Sequence, residues 1–310
     1  DLMKRRDVLA GMTIGGITLG SAVPAQASSA PREPSRRIFV LVHGAWHNAL
    51  HWNAVALALA RQGASVIAID LPGHGLKAKF PRSYLAQDTE ALLSEPSPSK
   101  GETLDDYAHA VTDVIDAIDE SADVTLVGHS MSGLVVTRAG DLRADRLQRI
   151  VYVTAYVPVI FPNSLAYIGL PENEGARSAV FIGNPDLTGA VRINPRSTDA
   201  AYIEEMRATF FNDLGFDEFA PHLNALTPDL PLGAVNGDAR GTAAHWGRVP
   251  RSYVRCTLDQ AIPPALQDRM IREADAAYPD NRFAVHSLES GHSPFASKAD
   301  ALAAILIAGA

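Results

Sequence analysis

The chain alternates short apolar runs with helical patterns, and this alternation restricts its possible folds more than any other feature. The first run is Ile38-Phe39-Val40-Leu41-Val42. Runs like this are typical of strands buried on both faces of a parallel sheet. Similar runs recur at residues 66–69, 124–127, 150–154, 253–257 and 283–288, and helical patterns cover 52–62, 104–120, 132–142 and 296–308. The order predicts an α/β fold, a doubly wound and mostly parallel sheet with right-handed crossovers.

Two stretches interrupt the alternation. Residues 80–101 are polar and contain prolines, which predicts a long excursion after a strand. Residues 159–250 are rich in aromatic residues and prolines and are too long for a loop. We expect 159–250 to form a cap inserted over the carboxyl edge of the sheet, with a core formed by 37–158 and 251–310. A separate small domain is the alternative interpretation.

The amino-terminal residues have the pattern of an export signal. Arg5 and Arg6 precede an apolar, glycine-rich run that ends in an A-x-A cleavage pattern at Ala27. Paired arginines at this place resemble a twin-arginine signal. We therefore expect 1–27 to be a signal peptide and 28–36 a linker, with the mature protein periplasmic or secreted and not stably bound to a membrane. An uncleaved anchor is the alternative.

Charge and cysteine content exclude several classes of partner. Asp and Glu total 35 against 27 Lys and Arg, a net charge of −8. An acidic chain is poorly suited to nucleic acids or anionic membranes. Cys256 is the single cysteine, so neither an internal disulfide nor a zinc–thiolate cluster can form.

Residues 124–133, VTLVGHSMSG, predict a strand, a sharp turn and a helix with Ser130 at the apex. Such a turn holds a serine hydroxyl exposed above the sheet, where it can act as a nucleophile. The stretch departs from G-x-S-x-G because Ser132 occupies the last glycine position. Ser132 is small enough to replace that spacer, and it could add a hydroxyl near the pocket. Ser130 is therefore the candidate nucleophile.

A serine nucleophile needs a base that is oriented by a third group. In this architecture the acid and then the histidine follow the serine along the chain. Asp259 ends one predicted strand and His292 lies in the loop after the next. We expect His292 to be the base and Asp259 the orienting acid, with Asp238 and Glu289 as competing acids.

The end of the first strand supplies the remaining predicted contacts. His43-Gly44 turns the backbone inward, so the amide of Ala45, with that of Met131, is predicted to bind an oxyanion. We also expect Gly44, Trp46 and His129 to contact substrate.

Three histidines raise the alternative of a metal site. His43, His47 and His51 are spaced four residues apart, which would place them on one face of a helix. Gly44 and the preceding strand argue against that helix. We expect neither a metal nor another cofactor.

Several segments together resemble the α/β-hydrolase superfamily: FVLVHGAWH, VIAIDLPGHG, VGHSMSGLV, YVRCTLDQAIP and SGHSPF. They are most similar to the branch of plant methylesterases and hydroxynitrile lyases with its bacterial esterase relatives, and FFND at 210–213 resembles the cap of that branch. The resemblance extends from Arg37 to Ile307. It implies triad roles for Ser130, Asp259 and His292 and oxyanion roles for Ala45 and Met131.

Two positions depart from the lyases of this branch. Hydroxynitrile lyases carry threonine after the strand-end histidine and lysine after the catalytic one, where this chain has Gly44 and Ser293. We therefore expect a serine hydrolase that cleaves a carboxylic ester of an apolar or aryl substrate through an acyl-enzyme. Its partner would be a small molecule, and the oligomeric state is left open. A lactonase, a C–C bond hydrolase or lyase and a ligand receptor without turnover are the alternatives.

Overall fold

A computed structural model describes residues 36–309 of the chain, so the predicted signal peptide and all but the last residue of the linker lie outside the described residues. Six parallel strands form the central sheet in the order β2-β1-β3-β4-β7-β8. The strands are β1 (Arg37–Val42), β2 (Ser65–Ile69), β3 (Asp123–His129), β4 (Arg149–Val153), β7 (Arg251–Cys256) and β8 (Ala284–Leu288), and a separate antiparallel pair consists of β5 (Ala190–Arg192) and β6 (Asp229–Pro231).

The predicted strands and their parallel arrangement are confirmed, with ends that differ by one or two residues. The strand order reverses direction between β1 and β3, because the chain first adds β2 on one side of β1 and then returns to the other. Ligands of open α/β sheets bind outside the carboxyl ends of strands at such a switch point. We therefore expect a ligand site in the loops that follow β1 and β3.

Helices pack against the central sheet. The helix predicted at 132–142 has these bounds in the structure, whereas the one predicted at 104–120 ends at Ala117 and the one predicted at 296–308 is divided at Lys298. The α-helices are α1 (Asn53–Arg61), α2 (Arg82–Ala86), α3 (Leu104–Ala117), α4 (Ser132–Leu142), α5 (Ser164–Ile168), α6 (Pro185–Thr188), α7 (Ala200–Phe210), α8 (Phe216–Ala225), α9 (Leu232–Val235), α10 (Pro264–Ala277), α11 (Pro294–Ser297) and α12 (Ala299–Ala308).

The chain between β4 and β7 contains α5 to α9 and the small β5–β6 sheet, and it packs with the central sheet in one compact unit. A buried ion pair stabilises it: the Arg192 guanidinium binds both carboxylate oxygens of Asp229, at 2.6 and 2.8 Å. Arg192 also donates to the carbonyls of Leu92 and Glu95. The 80–101 excursion is thereby fastened to the β5–β6 sheet.

Among residues 36–309, no helix combines the length and apolarity that crossing a bilayer requires.

Candidate active site

Ser130 occupies the turn between β3 and α4 in a left-handed conformation, with φ of +55°. Non-glycine residues rarely adopt this conformation, and it persists only where neighbouring contacts enforce it. Here the Ser130 N–H donates to the carbonyl of Val153, and the Ser130 carbonyl accepts from the amides of Gly133 and Tyr156. The turn is thus fixed from both sides of its apex, and the serine side chain is held at the carboxyl edge of the sheet.

Close packing explains the small residues around the turn. A Cβ on Gly133 would lie 1.9 Å from the carbonyl oxygen of Tyr156, and one on Gly128 would lie 2.7 Å from the side chain of Val136. Ser132 is fully buried, and its hydroxyl donates a hydrogen bond to the carbonyl of His43. Ser132 does not line the cavity described below, and its hydroxyl is engaged with the main chain instead.

Three side chains from separate loops form a continuous hydrogen-bond chain. The Ser130 hydroxyl lies 2.9 Å from Nε2 of His292, and Nδ1 of His292 lies 2.7 Å from Oδ2 of Asp259. Asp259 and His292 are almost completely buried, and Ser130 is 8% exposed. A neutral imidazole that donates from Nδ1 to the carboxylate presents an acceptor at Nε2 for the serine proton. The arrangement is suited to proton transfer from Ser130 to His292.

Asp259 is held by more than His292. Its Oδ1 accepts the amides of Ala261 and Ile262, at 2.7 and 2.9 Å, and its Oδ2 also accepts the hydroxyl of Thr154. The competing acids lie elsewhere: Asp238 forms a surface ion pair with Arg240, and Glu289 is exposed to solvent. Among the three candidates, only Asp259 contacts the histidine.

The chain after α7 fastens the loops that carry Asp259 and His292. Asn212 donates from Nδ2 to the carbonyl of Leu258, which directly precedes Asp259. Asp213 accepts from the amide of Gly291 at 3.0 Å and from the hydroxyl of Ser290 at 3.1 Å, directly before His292. Two consecutive side chains of the FFND stretch therefore bridge the two loops.

The backbone amides of Ala45 and Met131 are available for an anionic ligand. Both residues line the cavity beside Ser130, and neither amide donates to another group within the described part of the chain. Met131 directly precedes α4, where the helix dipole favours negative charge. The arrangement is suited to a substrate oxygen that gains negative charge.

An apolar cavity of about 330 Å³ opens above Ser130 and His292. Trp46 packs between Phe181 and Phe210, with ring centroids 5.4 and 5.5 Å away, and its indole N–H donates to the carbonyl of Val191. The aromatic wall is therefore fixed by ring packing and by a hydrogen bond. The other lining residues are mainly apolar and include Leu165, Ile168, Val191, Leu230, Val235, Ala261 and Ile262.

Comparison with known proteins assigns this chain to a family. The model of the alpha/beta hydrolase family matches residues 39–305. The chain belongs to this family. It is 26% identical to methylesterase 7 of Arabidopsis thaliana over 278 residues, which are 88% of this chain and 96% of the relative.

Several solved structures share the fold of this chain. A pyrethroid hydrolase from Sphingobium faniae JZ-2 superposes with a TM-score of 0.70 at 19% identity, covering 88% of this chain and 97% of that one. A methylesterase from Arabidopsis superposes with a TM-score of 0.62 at 23% identity, covering 87% and 97%. At these identities, the superpositions show the shared fold alone.

Of the three predicted substrate contacts in this alpha/beta hydrolase, Trp46 lines the cavity, whereas Gly44 and His129 do not. His129 is fully buried, and its Nε2–H donates to the carbonyl of His292 at 2.7 Å. A Cβ on Gly44 would lie 2.6 Å from Nδ1 of His129 and 2.9 Å from Cβ of Ser130. Gly44 and His129 therefore contact Ser130 and His292 from outside the cavity. Their close packing sets the spacing between β1 and β3.

The remaining buried histidines of this hydrolase are kept neutral. Burial is the main cause that lowers the pKa of His43 and His47 well below its ordinary range, and it lowers the pKa of His51 and His74 to about 4. The ring of His43 donates to the carbonyl of Gly44 and accepts the amide of Leu71, which occupies both nitrogens. Within residues 36–309, no three His, Cys, Asp or Glu side chains are grouped as a metal site requires.

Sequence reasoning missed Thr154 and Tyr156, which follow β4 at the carboxyl edge of the sheet. The Thr154 hydroxyl binds Asp259, and Tyr156 lines the cavity without a hydrogen-bond partner for its phenol hydroxyl among the described residues. Burial raises the pKa of that phenol, so it remains a proton donor. The available signal was their position, because functional groups gather at the carboxyl ends of parallel strands.

Proposed function

We propose that this alpha/beta hydrolase is a serine esterase that cleaves a carboxylic ester of an apolar or aryl substrate through an acyl-enzyme. The observation that carries the proposal is the unbroken hydrogen-bond chain from Ser130 through His292 to Asp259 at the base of an apolar cavity. The family match and the similarity to a methylesterase support ester hydrolysis as the reaction class.

In the proposed mechanism, His292 takes the proton of Ser130 while the serine oxygen bonds to the ester carbonyl carbon. The carbonyl oxygen becomes an oxyanion, which accepts hydrogen bonds from the amides of Ala45 and Met131. Collapse of this intermediate breaks the C–O bond, and the departing alkoxide receives the proton from His292. Water then repeats the sequence on the acyl-enzyme and releases the acid. Asp259 keeps the imidazole in the required tautomer and stabilises its charged form.

The lining of the cavity supports an uncharged substrate with an apolar or aryl group. Trp46, Phe181 and Phe210 provide ring surfaces, and aromatic rings gain from offset or edge-to-face packing with an aryl ligand. The one cationic side chain among the lining residues, Arg177, is already paired with Glu205 at 2.6 Å and bonded to Gln260. A carboxylate on the substrate would therefore have to compete with Glu205 and Gln260 for the guanidinium of Arg177.

Packing at Gly44 supports hydrolysis over hydroxynitrile lyase chemistry. The lyases of the similar branch carry threonine at this position, and here even a Cβ would lie 2.6 Å from the ring of His129. Ser293 takes the place of their lysine and is buried, so the cavity does not gain an ammonium group there. A lactone is a cyclic ester and would react on the same groups.

The proposal is tested by hydrolysis of p-nitrophenyl esters from acetate to decanoate with wild type, Ser130→Ala and Ser132→Ala. We expect Ser130→Ala to lose at least about a thousandfold in kcat and Ser132→Ala to keep most of it. The acyl chain length that is hydrolysed fastest measures how long an acyl group the cavity accommodates. Unchanged hydrolysis in Ser130→Ala would disprove the assignment. Labelling of Ser130 by a fluorophosphonate without turnover of any ester or lactone would instead indicate a ligand receptor.

We also propose that residues 1–27 direct export of the protein. The support is the pair Arg5-Arg6 before an apolar run and an A-x-A pattern. In a bacterial host with a twin-arginine pathway, replacing both arginines by lysine is expected to retain the protein in the cytoplasm, as measured by cell fractionation. Equal export of the variant contradicts the proposal.

A further inference from the structure

Thr154 has an unusual backbone conformation at the centre of the site. It directly follows β4, which lies between β3, the strand before Ser130, and β7, the strand before Asp259. Its φ is +38°, a region that β-branched residues rarely adopt, and it is completely buried. Such a conformation is retained where the surrounding structure or function requires it. The neighbouring strand helps to enforce it, because the Thr154 amide donates to the carbonyl of Val254 at 2.9 Å.

This conformation aims the hydroxyl of Thr154 at the triad carboxylate. The hydroxyl donates to Oδ2 of Asp259, the same oxygen that accepts Nδ1–H of His292. Oδ1 is occupied by two amides of the following turn. The carboxylate therefore accepts four donors, two at each oxygen, with no water needed to satisfy it. A buried carboxylate with a lone pair left unsatisfied costs free energy, and it can rotate to find another donor.

We propose that Thr154 is a positioning residue for the esterase reaction, which fixes the Asp259 carboxylate so that Oδ2 faces His292 throughout the catalytic cycle. Thr154 does not touch the substrate, because it does not line the cavity. It acts through Asp259 on the orientation of the imidazole. The inference rests on the proposed function, because it assigns Asp259 and His292 their catalytic roles.

The role predicts a loss in kcat rather than in substrate binding. Thr154→Val keeps the shape and the branched Cβ but removes the hydroxyl, and Thr154→Ser keeps the hydroxyl. A hydrogen bond to a charged group that is lost in a buried site corresponds to about a 10- to 100-fold change in rate. We expect Thr154→Val to lower kcat by this factor with KM within about threefold of wild type, and Thr154→Ser to restore most of kcat.

Two controls separate positioning from general destabilisation. Thr112→Val removes another buried threonine hydroxyl, which bonds to the carbonyl of His109 within α3, and it should leave kcat unchanged. The downfield proton resonance of His292 Nδ1–H should shift or broaden in Thr154→Val but not in Thr112→Val. If Thr154→Val does not fold, Thr154→Ala replaces it, since alanine tolerates a positive φ better than valine.

The outcomes distinguish this inference from the proposed function. Wild-type kcat in a folded Thr154→Val, or equal losses in the valine and serine variants, would overturn the positioning role even if ester hydrolysis is confirmed. If wild type hydrolyses no ester, the proposed function fails, and the rate of Ser130 labelling by a fluorophosphonate then serves as the readout. Slower labelling in Thr154→Val with rescue in Thr154→Ser supports the positioning role, and equal rates reject it.

Discussion

The hydroxyl of Ser132 donates a hydrogen bond to the main-chain carbonyl of His43. Ser132, which stands where the G-x-S-x-G motif has its last glycine, therefore connects α4 to the end of β1. Both residues are buried, and Ser132 does not line the cavity. The two serines of the motif therefore have different tasks. Ser130 presents its hydroxyl to His292, and Ser132 fastens the turn to the strand that precedes Ala45.

Ser132→Ala is expected to reduce stability but to retain activity. The loss of one buried hydrogen bond costs about 1 kcal/mol in the free energy of unfolding, with kcat/KM within a few fold of wild type. Urea unfolding and ester hydrolysis measure the two effects. Ser287→Ala, at an exposed position of β8, is the matched control and should change neither. A loss of activity comparable with that of Ser130→Ala would show that Ser132 takes part in the reaction.

Gly133→Ala is expected to damage the turn severely. Its Cβ would lie 1.9 Å from the carbonyl oxygen of Tyr156, so α4 or the chain after β4 must shift. We expect a loss of roughly 3 kcal/mol or more in stability, together with the loss of most activity, because Ser130 moves with the turn. Gly101→Ala is the control, since apart from its own residue and its two chain neighbours no atom lies within 4 Å of the added Cβ. Thermal unfolding within a few degrees of wild type for Gly133→Ala would contradict the packing argument.

Asp213→Ala is expected to slow turnover while leaving substrate binding largely intact. Asp213 accepts from Ser290 and Gly291, the two residues before His292, and its removal frees the loop that carries the imidazole. We expect kcat to fall about tenfold and KM to change by less than threefold, as steady-state kinetics would measure. The exposed Asp280→Ala serves as the comparison. An unchanged kcat in a folded Asp213→Ala would show that the loop is held without this contact.

The buried neutral histidines are expected to make stability fall at mildly acidic pH. Burial lowers the pKa of His51 and His74 to about 4, against an ordinary value of 6.5. Below pH 6.5 the unfolded chain therefore binds protons that the folded chain does not, and stability is lost as the pH falls toward 4. Each such histidine contributes about 1.4 kcal/mol of loss between pH 7.5 and 5.5.

Urea unfolding from pH 7.5 to 5.5 measures this loss. The slope of the unfolding free energy against pH is proportional to the number of protons taken up on unfolding. His74→Gln should lower that number by about one, because it removes one of these groups. Ser287→Ala, which changes an exposed side chain that does not titrate, provides the comparison and should leave the slope unchanged. A stability that stays flat between pH 7.5 and 5.5 would show that these histidines gain protons without unfolding.

The strands and the turn at Ser130 could be predicted because they depend on local chemistry. A strand buried on both faces needs a continuous apolar run, and each of the six runs forms one strand of the sheet. The turn likewise needs small residues next to the serine, and these are adjacent in sequence. Ser130 was therefore identifiable before any contact was known, and the order of acid and base along the chain indicated Asp259 and His292.

Tertiary structure alone decided how the distant groups meet. Thr154 and Asp259 are 105 positions apart, and they become neighbours because β4 and β7 pair in parallel with a defined register. His129 is buried against His292, and Gly44 does not line the cavity. Both outcomes also depend on how closely β1 and β3 approach. Sequence patterns indicate the secondary structure and the burial that each segment requires locally. The direction in which a side chain points at the edge of a sheet depends on register and packing, which only the assembled sheet sets.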